Sequence, residues 1–234
     1  MQKLKLILTS LLITSFIPAI TNAQDTDLDK LVLPDGFSIE VYAKVRNARQ
    51  MSLGDDGTVY VGTRNRAGGR IFAVPDANGD GKGDEVITIA GGLKSPSGLT
   101  YHNGDLYIGA ISRIYRIKDI ANNFRNDPDP EILYGDLPDK THHGWKFLEF
   151  GPDGLLYIPI GAPCNICEPE DVFASINTMD VNNPDAGITQ YASGIRNTVG
   201  FDWDPNSGDL WFTDNGGDGL GDEMPADELN RAPT

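Results

Sequence analysis

Met51-Ser52-Leu53-Gly54-Asp55-Asp56-Gly57-Thr58-Val59-Tyr60-Val61 reads as two short strands joined by a tight turn, and the pattern returns three times. Leu99 to Ile108 repeats it around Asn103-Gly104, Phe147 to Ile158 around Pro152-Asp153-Gly154, and Phe201 to Phe212 around Asn206-Ser207-Gly208. In each copy a glycine follows Asp, Asn or Ser and leads into Val-Tyr, Leu-Tyr, Leu-Tyr or Leu-Trp. This is hairpin chemistry, because glycine accepts the positive φ of a tight turn and the flanking residues alternate in facing. The turn glycines stand at 57, 104, 154 and 208, so the copies recur at intervals of 47, 50 and 54 residues. A period of roughly 40–50 residues built from short antiparallel strands predicts an all-β chain folded as a β-propeller, one blade per copy. Arg70-Ile71-Phe72-Ala73-Val74 and Arg113-Ile114-Tyr115-Arg116-Ile117 read as third strands of the first two blades. The competing fold is a β-sandwich, but its turns recur every 8–12 residues or so without a longer superposed period.

Composition agrees. Of 234 residues, 27 are glycine and 15 proline, which interrupts helices and favours many turns, while 39% apolar residues are enough for a core. Thirty-four acidic against 19 basic side chains give a formal net charge of −15, which argues against a nucleic-acid partner.

The first 23 residues follow another logic. Lys3 and Lys5 precede an apolar run from Leu6 to Ile20, and Thr21-Asn22-Ala23 supplies the small residues of a cleavage site. The run contains Pro18 and is shorter than the roughly 20 residues that span a bilayer, so residues 1–23 are expected to be a signal peptide cut after Ala23 rather than a stable membrane anchor. The product is expected to be exported, periplasmic or secreted. Residues 24–234 then hold about four blades. The chain ends after an acidic loop with no strand to bond the first blade, and is therefore read as truncated at its C-terminus.

Several segments carry candidate chemistry. Asp76, Asn78, Asp80 and Asp84 place side-chain oxygens along a turn resembling half of a calcium loop, although Ile87 stands where the bidentate acid belongs. Both a structural calcium and an ion-free Asp/Asn/Gly turn fit this loop. Cys164-Asn165-Ile166-Cys167 lacks the histidine of a haem site, a second ligand pair for zinc and the βαβ setting of a thioredoxin-like centre, so in an exported protein it reads as a local disulfide. His142 and His143 are adjacent before a strand, where only one can enter a common site. Ser193-Gly194-Ile195-Arg196-Asn197 precedes the fourth repeat, and the glycine-rich run Asp214-Asn215-Gly216-Gly217-Asp218-Gly219-Leu220-Gly221-Asp222-Glu223 follows it, suited to a cation held partly by backbone carbonyls.

Together these residues resemble the glucose/sorbosone dehydrogenase family, soluble quinoproteins that use pyrroloquinoline quinone (PQQ) and calcium on a six-bladed propeller. The likeness runs from Leu33-Pro34-Asp35-Gly36-Phe37 almost to the end. It rests on His143 eight residues before Gly151-Pro152-Asp153-Gly154, on Gly194-Ile195-Arg196-Asn197, and on Phe212-Thr213-Asp214-Asn215-Gly216 with Gly221-Asp222-Glu223. Gly161-Ala162-Pro163-Cys164 through Cys167 and Asp227-Glu228-Leu229-Asn230 bring it nearer the sorbosone-dehydrogenase-like branch. The resemblance implies that His143 is the catalytic base, that Arg196 and Asn197 contact the quinone oxygens, and that Asn215 and Asp222 lie near the cofactor. It also implies that the carbonyls of Gly216 and Gly217 hold calcium, although Gly217 stands where the glucose enzymes carry proline. Sugar is the implied substrate and an external electron acceptor the implied partner. Four blades of the expected six are present, and the family's further cofactor contacts come from later blades. A calcium-dependent lactonase and a non-catalytic exported binding propeller are the alternatives.

Overall fold

In the computed structural model, residues 28–224 and 226–233 are described; the leader read at residues 1–23 lies outside them. The chain divides into two units, the first ending at Glu40 and the second running from Val41 to Thr234. Within the first, Leu28–Lys30 forms one 3-10 turn, and Phe37 N donates to Pro34 O across a turn that Gly36 permits.

The second unit is built from β1 (Ala48–Leu53), β2 (Val59–Thr63), β3 (Gly69–Val74) and β4 (Ile87–Leu93); then β5 (Gly98–His102), β6 (Asp105–Gly109), β7 (Ile114–Ile117), the single-turn α1 (Ile120–Asn123) and β8 (Glu131–Tyr134). These are followed by β9 (Glu149–Phe150), β10 (Leu156–Ile160), β11 (Ser175–Met179), β12 (Thr189–Ser193), β13 (Phe201–Trp203), β14 (Leu210–Asp214) and β15 (Glu228–Ala232). They make three four-stranded sheets and one three-stranded sheet, each an antiparallel meander in chain order, the arrangement of four β-propeller blades. All four repeats are the first hairpins of their blades, β1–β2, β5–β6, β9–β10 and β13–β14. Their turn glycines take φ of 83°, 89°, 79° and 76°, the left-handed region that excludes most side chains.

The middle strands, such as β2, β6 and β10, are buried on both faces because the sheets pack against one another. Tyr60, Ile71 and Ile89 of the first blade pack on Leu99 and Ile108 of the second. Tyr107 and Ile114 of the second meet Leu148, Leu156 and Ile158 of the third, and Tyr157 and Ile176 of the third meet Phe201, Leu210 and Phe212 of the fourth. Burying each such side chain contributes about 1.5–3 kcal/mol.

The innermost strands are tied by side chains as well. Gln50 of β1 donates from Nε2 to Leu148 O at 2.7 Å, and its Oε1 accepts from Leu99 N and Leu148 N, both at 3.0 Å. One carboxamide from the first blade thus satisfies backbone groups of the second and third. Alongside, Ser97 Oγ donates to Lys146 O, and the backbones of Gly98 and Lys146 approach so closely that a Cβ on Gly98 would lie 2.6 Å from Lys146 O. The Lys146 side chain is buried in this junction, Nζ donating to Gly144 O at 2.7 Å, and burial pulls its ammonium down to about 7.

Two expectations need correction. The acidic tail was read as loop, but residues 228–232 form β15, the third strand of the fourth blade, held by Arg231 on the buried Asp209. His142 and His143 do not open a strand but sit in a turn, where His143 has φ 47°. The outer strands β4, β8 and β12 lack the hairpin motif; β12 in particular is nearly all exposed and carries little apolar alternation.

Replacing Gln50 with Ala leaves two N–H groups and one carbonyl unpaired at the junction. A loss of about 2–4 kcal/mol is expected, read as a lower urea midpoint at unchanged slope. For Lys146, the folded state releases its proton near 7 while the unfolded chain holds it to about 10.4. Stability from this residue therefore rises with pH between those values, by at most about 1.4 kcal/mol per unit, and Lys146→Met should be more stable than the parent near pH 7 and lose that slope.

Candidate functional site

Because strands alternate in direction, loops alternate between the two ends of the blades. One end gathers residues 63–69, 93–98, 134–149, 160–175, 193–201 and 214–228; the hairpin turns and the 75–86 loop gather at the other. The first end therefore collects His143, the cysteine pair, Arg196, Asn197 and the glycine-rich loop, whereas Asp76, Asn78, Asp80 and Asp84 lie at the opposite end. There Asp76 accepts from Gly79 N, Asp80 N and Gly81 N, and Asp84 accepts from Ala77 N, so these carboxylates close the turn through its own backbone. Among the described residues, no three His, Cys, Asp or Glu side chains converge in a way that could hold a metal ion.

His143 is 7% exposed, whereas His142 beside it is exposed. His143 Nδ1 lies 2.9 Å from Ala162 O. A carbonyl can only accept, so Nδ1 carries the proton and Nε2 keeps its lone pair. Burial pushes the imidazole below its ordinary value; the Ala162 carbonyl opposes this, His142 and Arg196 add to it, and Asp218 opposes it. The result is a neutral imidazole in a defined tautomer. Gly161 makes the packing possible, since a Cβ there would lie 2.6 Å from His143 Cβ and 3.1 Å from Asn197 Oδ1. His143 and the buried Asn197 thus flank one glycine.

Arg196 and Asn197 are fixed through Asp214 at the end of β14. Its carboxylate accepts from Arg196 N at 3.0 Å and Asn197 N at 2.7 Å. Ala162 N donates to Arg196 O, and Asn215 N to Asn197 O, so three loops are sewn together beside His143. The Arg196 guanidinium donates from Nε to Asn165 O, from Nη1 to Asn215 O and from Nη2 to Asn165 Oδ1, all within 2.9 Å. Asp218 stands 3.7 Å away.

Asn165 is the residue whose role the sequence did not reveal. Its Oδ1 also accepts from Asp218 N, and its Nδ2 donates to Asp218 O, so one side chain joins the arginine to the glycine-rich loop. Cys164 and Cys167 are disulfide-bonded around it, as expected, which constrains this short loop. Its partners lie 31 and 53 residues away, so only its place between the cysteines could have marked it. Asp214 was likewise visible only as part of a motif.

Gly216 and Gly217 are half-buried; Gly216 N donates to Asp227 Oδ1, and a Cβ on Gly217 would touch Leu220. Asn215 joins the cluster through its backbone, whereas Asp222 is exposed on the loop, outside the Arg196 network. A cleft of about 520 Å³ opens here, lined mainly by apolar groups including Ile166, Pro169, Leu220 and Met224, with Arg196 among them. Trp145 Nε1 and Thr198 Oγ1, in residues flanking this cluster, are buried without a partner among the described residues.

The fold is shared with known proteins. A family AA12 carbohydrate-active enzyme of Trichoderma reesei superposes with a TM-score of 0.70 at 21% identity, covering 86% of this chain and 56% of that one. The PQQ-bound form of an aldose sugar dehydrogenase from Streptomyces coelicolor superposes with a TM-score of 0.56 at 20% identity, covering 81% and 61%. At such identities the likeness is one of fold. In sequence the chain is 29% identical over 238 residues to an uncharacterized protein of Borreliella burgdorferi, covering 97% of this chain and 59% of that protein. It thus spans little more than half the length of the proteins it matches. The family described as Domain of unknown function (DUF7133) matches residues 23–234, and the chain belongs to that family.

Proposed function

We propose that this propeller oxidises a sugar by hydride transfer to PQQ, with calcium at the cofactor, in the manner of the glucose/sorbosone dehydrogenases and nearest their sorbosone-like branch. The observation that carries the reading is His143: a buried, neutral imidazole whose Nδ1–H is held by Ala162 O, leaving Nε2 as a base beside Arg196 and Asn197.

The residues present fit such a cofactor. The cleft offers apolar walls for a flat ring system and a guanidinium at its edge, three of whose five N–H donors are spent on the protein. Thr198 Oγ1, one residue from Asn197, is a buried hydroxyl without a partner among the described residues. Arg196 and Asn197 would hold the quinone oxygens, with Asn215 and Asp222 nearby, and the Gly216 and Gly217 carbonyls would hold calcium. When bound, the quinone would accept the hydride and calcium would polarise it. His143 would remove the hydroxyl proton at Nε2, and its low basicity keeps that atom unprotonated at neutral pH. Arg196 would place fixed positive charge where the oxidant gains electron density, already oriented by Asn165 and Asp214 and so at little reorganisation cost. The sugar comes from solution, and an external acceptor removes the electrons.

The test uses the protein expressed from its complete gene. Titration with PQQ and calcium should change the quinone absorbance, and aldoses or sorbosone should then reduce a dye. His143→Asn should retain quinone binding and lose about 10²–10⁴-fold in kcat. In the parent the acid limb of kcat should fall at a midpoint below 6.5, since burial disfavours the protonated ring. Lactone hydrolysis without quinone binding would establish the lactonase reading instead; neither activity nor quinone binding would leave a binding propeller. Export belongs to the same proposal: N-terminal sequencing of protein recovered outside the cytoplasm should begin at Gln24, and a sequence retaining residues 1–23 would overturn it.

A further inference from the structure

Two segments at one end of the first blade are rich in arginine, although the blade as a whole is not basic. Residues 41–54 and 59–75 contain Arg46, Arg49, Arg64, Arg66 and Arg70 and not one acidic residue, in a chain of net charge −15. All five arginines are exposed, and among the described residues none has a carboxylate within ion-pair distance. Arg116, Arg125 and Arg231 elsewhere each pair with an acid, whereas the exposed Arg113 is without an ion pair among the described residues. Arg64 is pushed below its ordinary value first by burial and then by Arg49 and Arg66.

Their placement is built rather than incidental. The β2–β3 loop is anchored by Arg64 N on Asn47 O, Ser95 N on Asn65 O and Ala67 N on Asn65 Oδ1, while the buried Thr63 Oγ1 bridges Arg70 N and O. A hollow of about 490 Å³ opens here, lined by Arg46, Asn47, Thr63, Asn65, Arg70 and Phe72. The hollow is at the same end of the blades as His143. Arg64 connects the two, its guanidinium 3.8 Å above the Trp145 ring, which is itself 5.9 Å from the His143 ring.

We infer that this arginine hollow binds an oxyanion carried by the substrate, so that the sugar oxidised at His143 is an acidic saccharide bearing a carboxylate or an ester of sulfate or phosphate. Guanidiniums are the side chains best matched to such groups, and Arg46 and Arg70 both line the hollow. The hollow shares no lining residue with the His143 site, so the inference puts the charge on a sugar unit other than the one oxidised. The inference rests on the dehydrogenase reading for the reaction, but its binding step does not.

Calorimetric titration without cofactor separates the two. Trigalacturonate, a sulfated trisaccharide, neutral maltotriose, inorganic phosphate and PQQ are compared. An acidic trisaccharide should bind, maltotriose should bind at least 10-fold more weakly, and affinity should fall as salt is raised. Arg46→Gln with Arg70→Gln should weaken acidic binding at least 10-fold while leaving the melting temperature and PQQ binding in place; Arg66→Gln alone should have a smaller effect in the same direction. The preferred arm, carboxylate or sulfate, names the anion. Equal binding of neutral and acidic sugars, binding of inorganic phosphate alone, or loss of PQQ rather than saccharide binding in the double variant would each overturn it. Acidic binding without turnover would instead count against the dehydrogenase reading alone.

Discussion

The junction of the innermost strands is the constraint on which the rest depends. Blades of a propeller touch chiefly through apolar faces, and apolar contact is non-directional, so it fixes proximity better than register. Gln50 adds direction. Its carboxamide completes backbone groups of β5 and β9 from β1, and a one-residue slip of any of the three strands would strand buried donors. With the strands locked at this level, the loops that start or end there are set at one height, and His143 can face Arg196 although 53 residues separate them.

The site is correspondingly a product of loops from different blades. His143 is oriented by a carbonyl of the β10–β11 loop, and Arg196 by that loop and by the one after β14. The disulfide and Asp214 are the two fixed points: one restrains the short segment that presents Asn165, the other gathers two successive backbone amides in one carboxylate. Such an arrangement is preorganised, since the donors of Arg196 are aimed before any ligand arrives. Burial of Lys146 near by runs against stability at neutral pH, its Nζ donating to the Gly144 carbonyl.

Much of the fold could be read directly. Gly57, Gly104, Gly154 and Gly208 announced four hairpins because positive φ is a local steric demand that almost only glycine meets, and all four are where they were expected. The outer strands β4, β8 and β12 and the terminal β15 were not legible, because they are partly exposed and paired by backbone bonds that leave no pattern in side chains. Of the candidate residues, His143, Arg196, Asn197, Asn215, Gly216 and Gly217 come together at one end of the blades, the Asp76–Asp84 turn closes on itself at the other, and Asp222 stands apart.

What the sequence by itself determined was local: turn chemistry, strand alternation, a cysteine pair close enough to join, and the period that makes a propeller. Tertiary structure decided which nitrogen of His143 holds its proton, that Asn165 joins the arginine to the glycine-rich loop, and that Arg46 and Arg70 line one hollow. Those are relations between residues tens of positions apart, and no spacing along a chain encodes them; they exist only once the blades bring their loops to the same end.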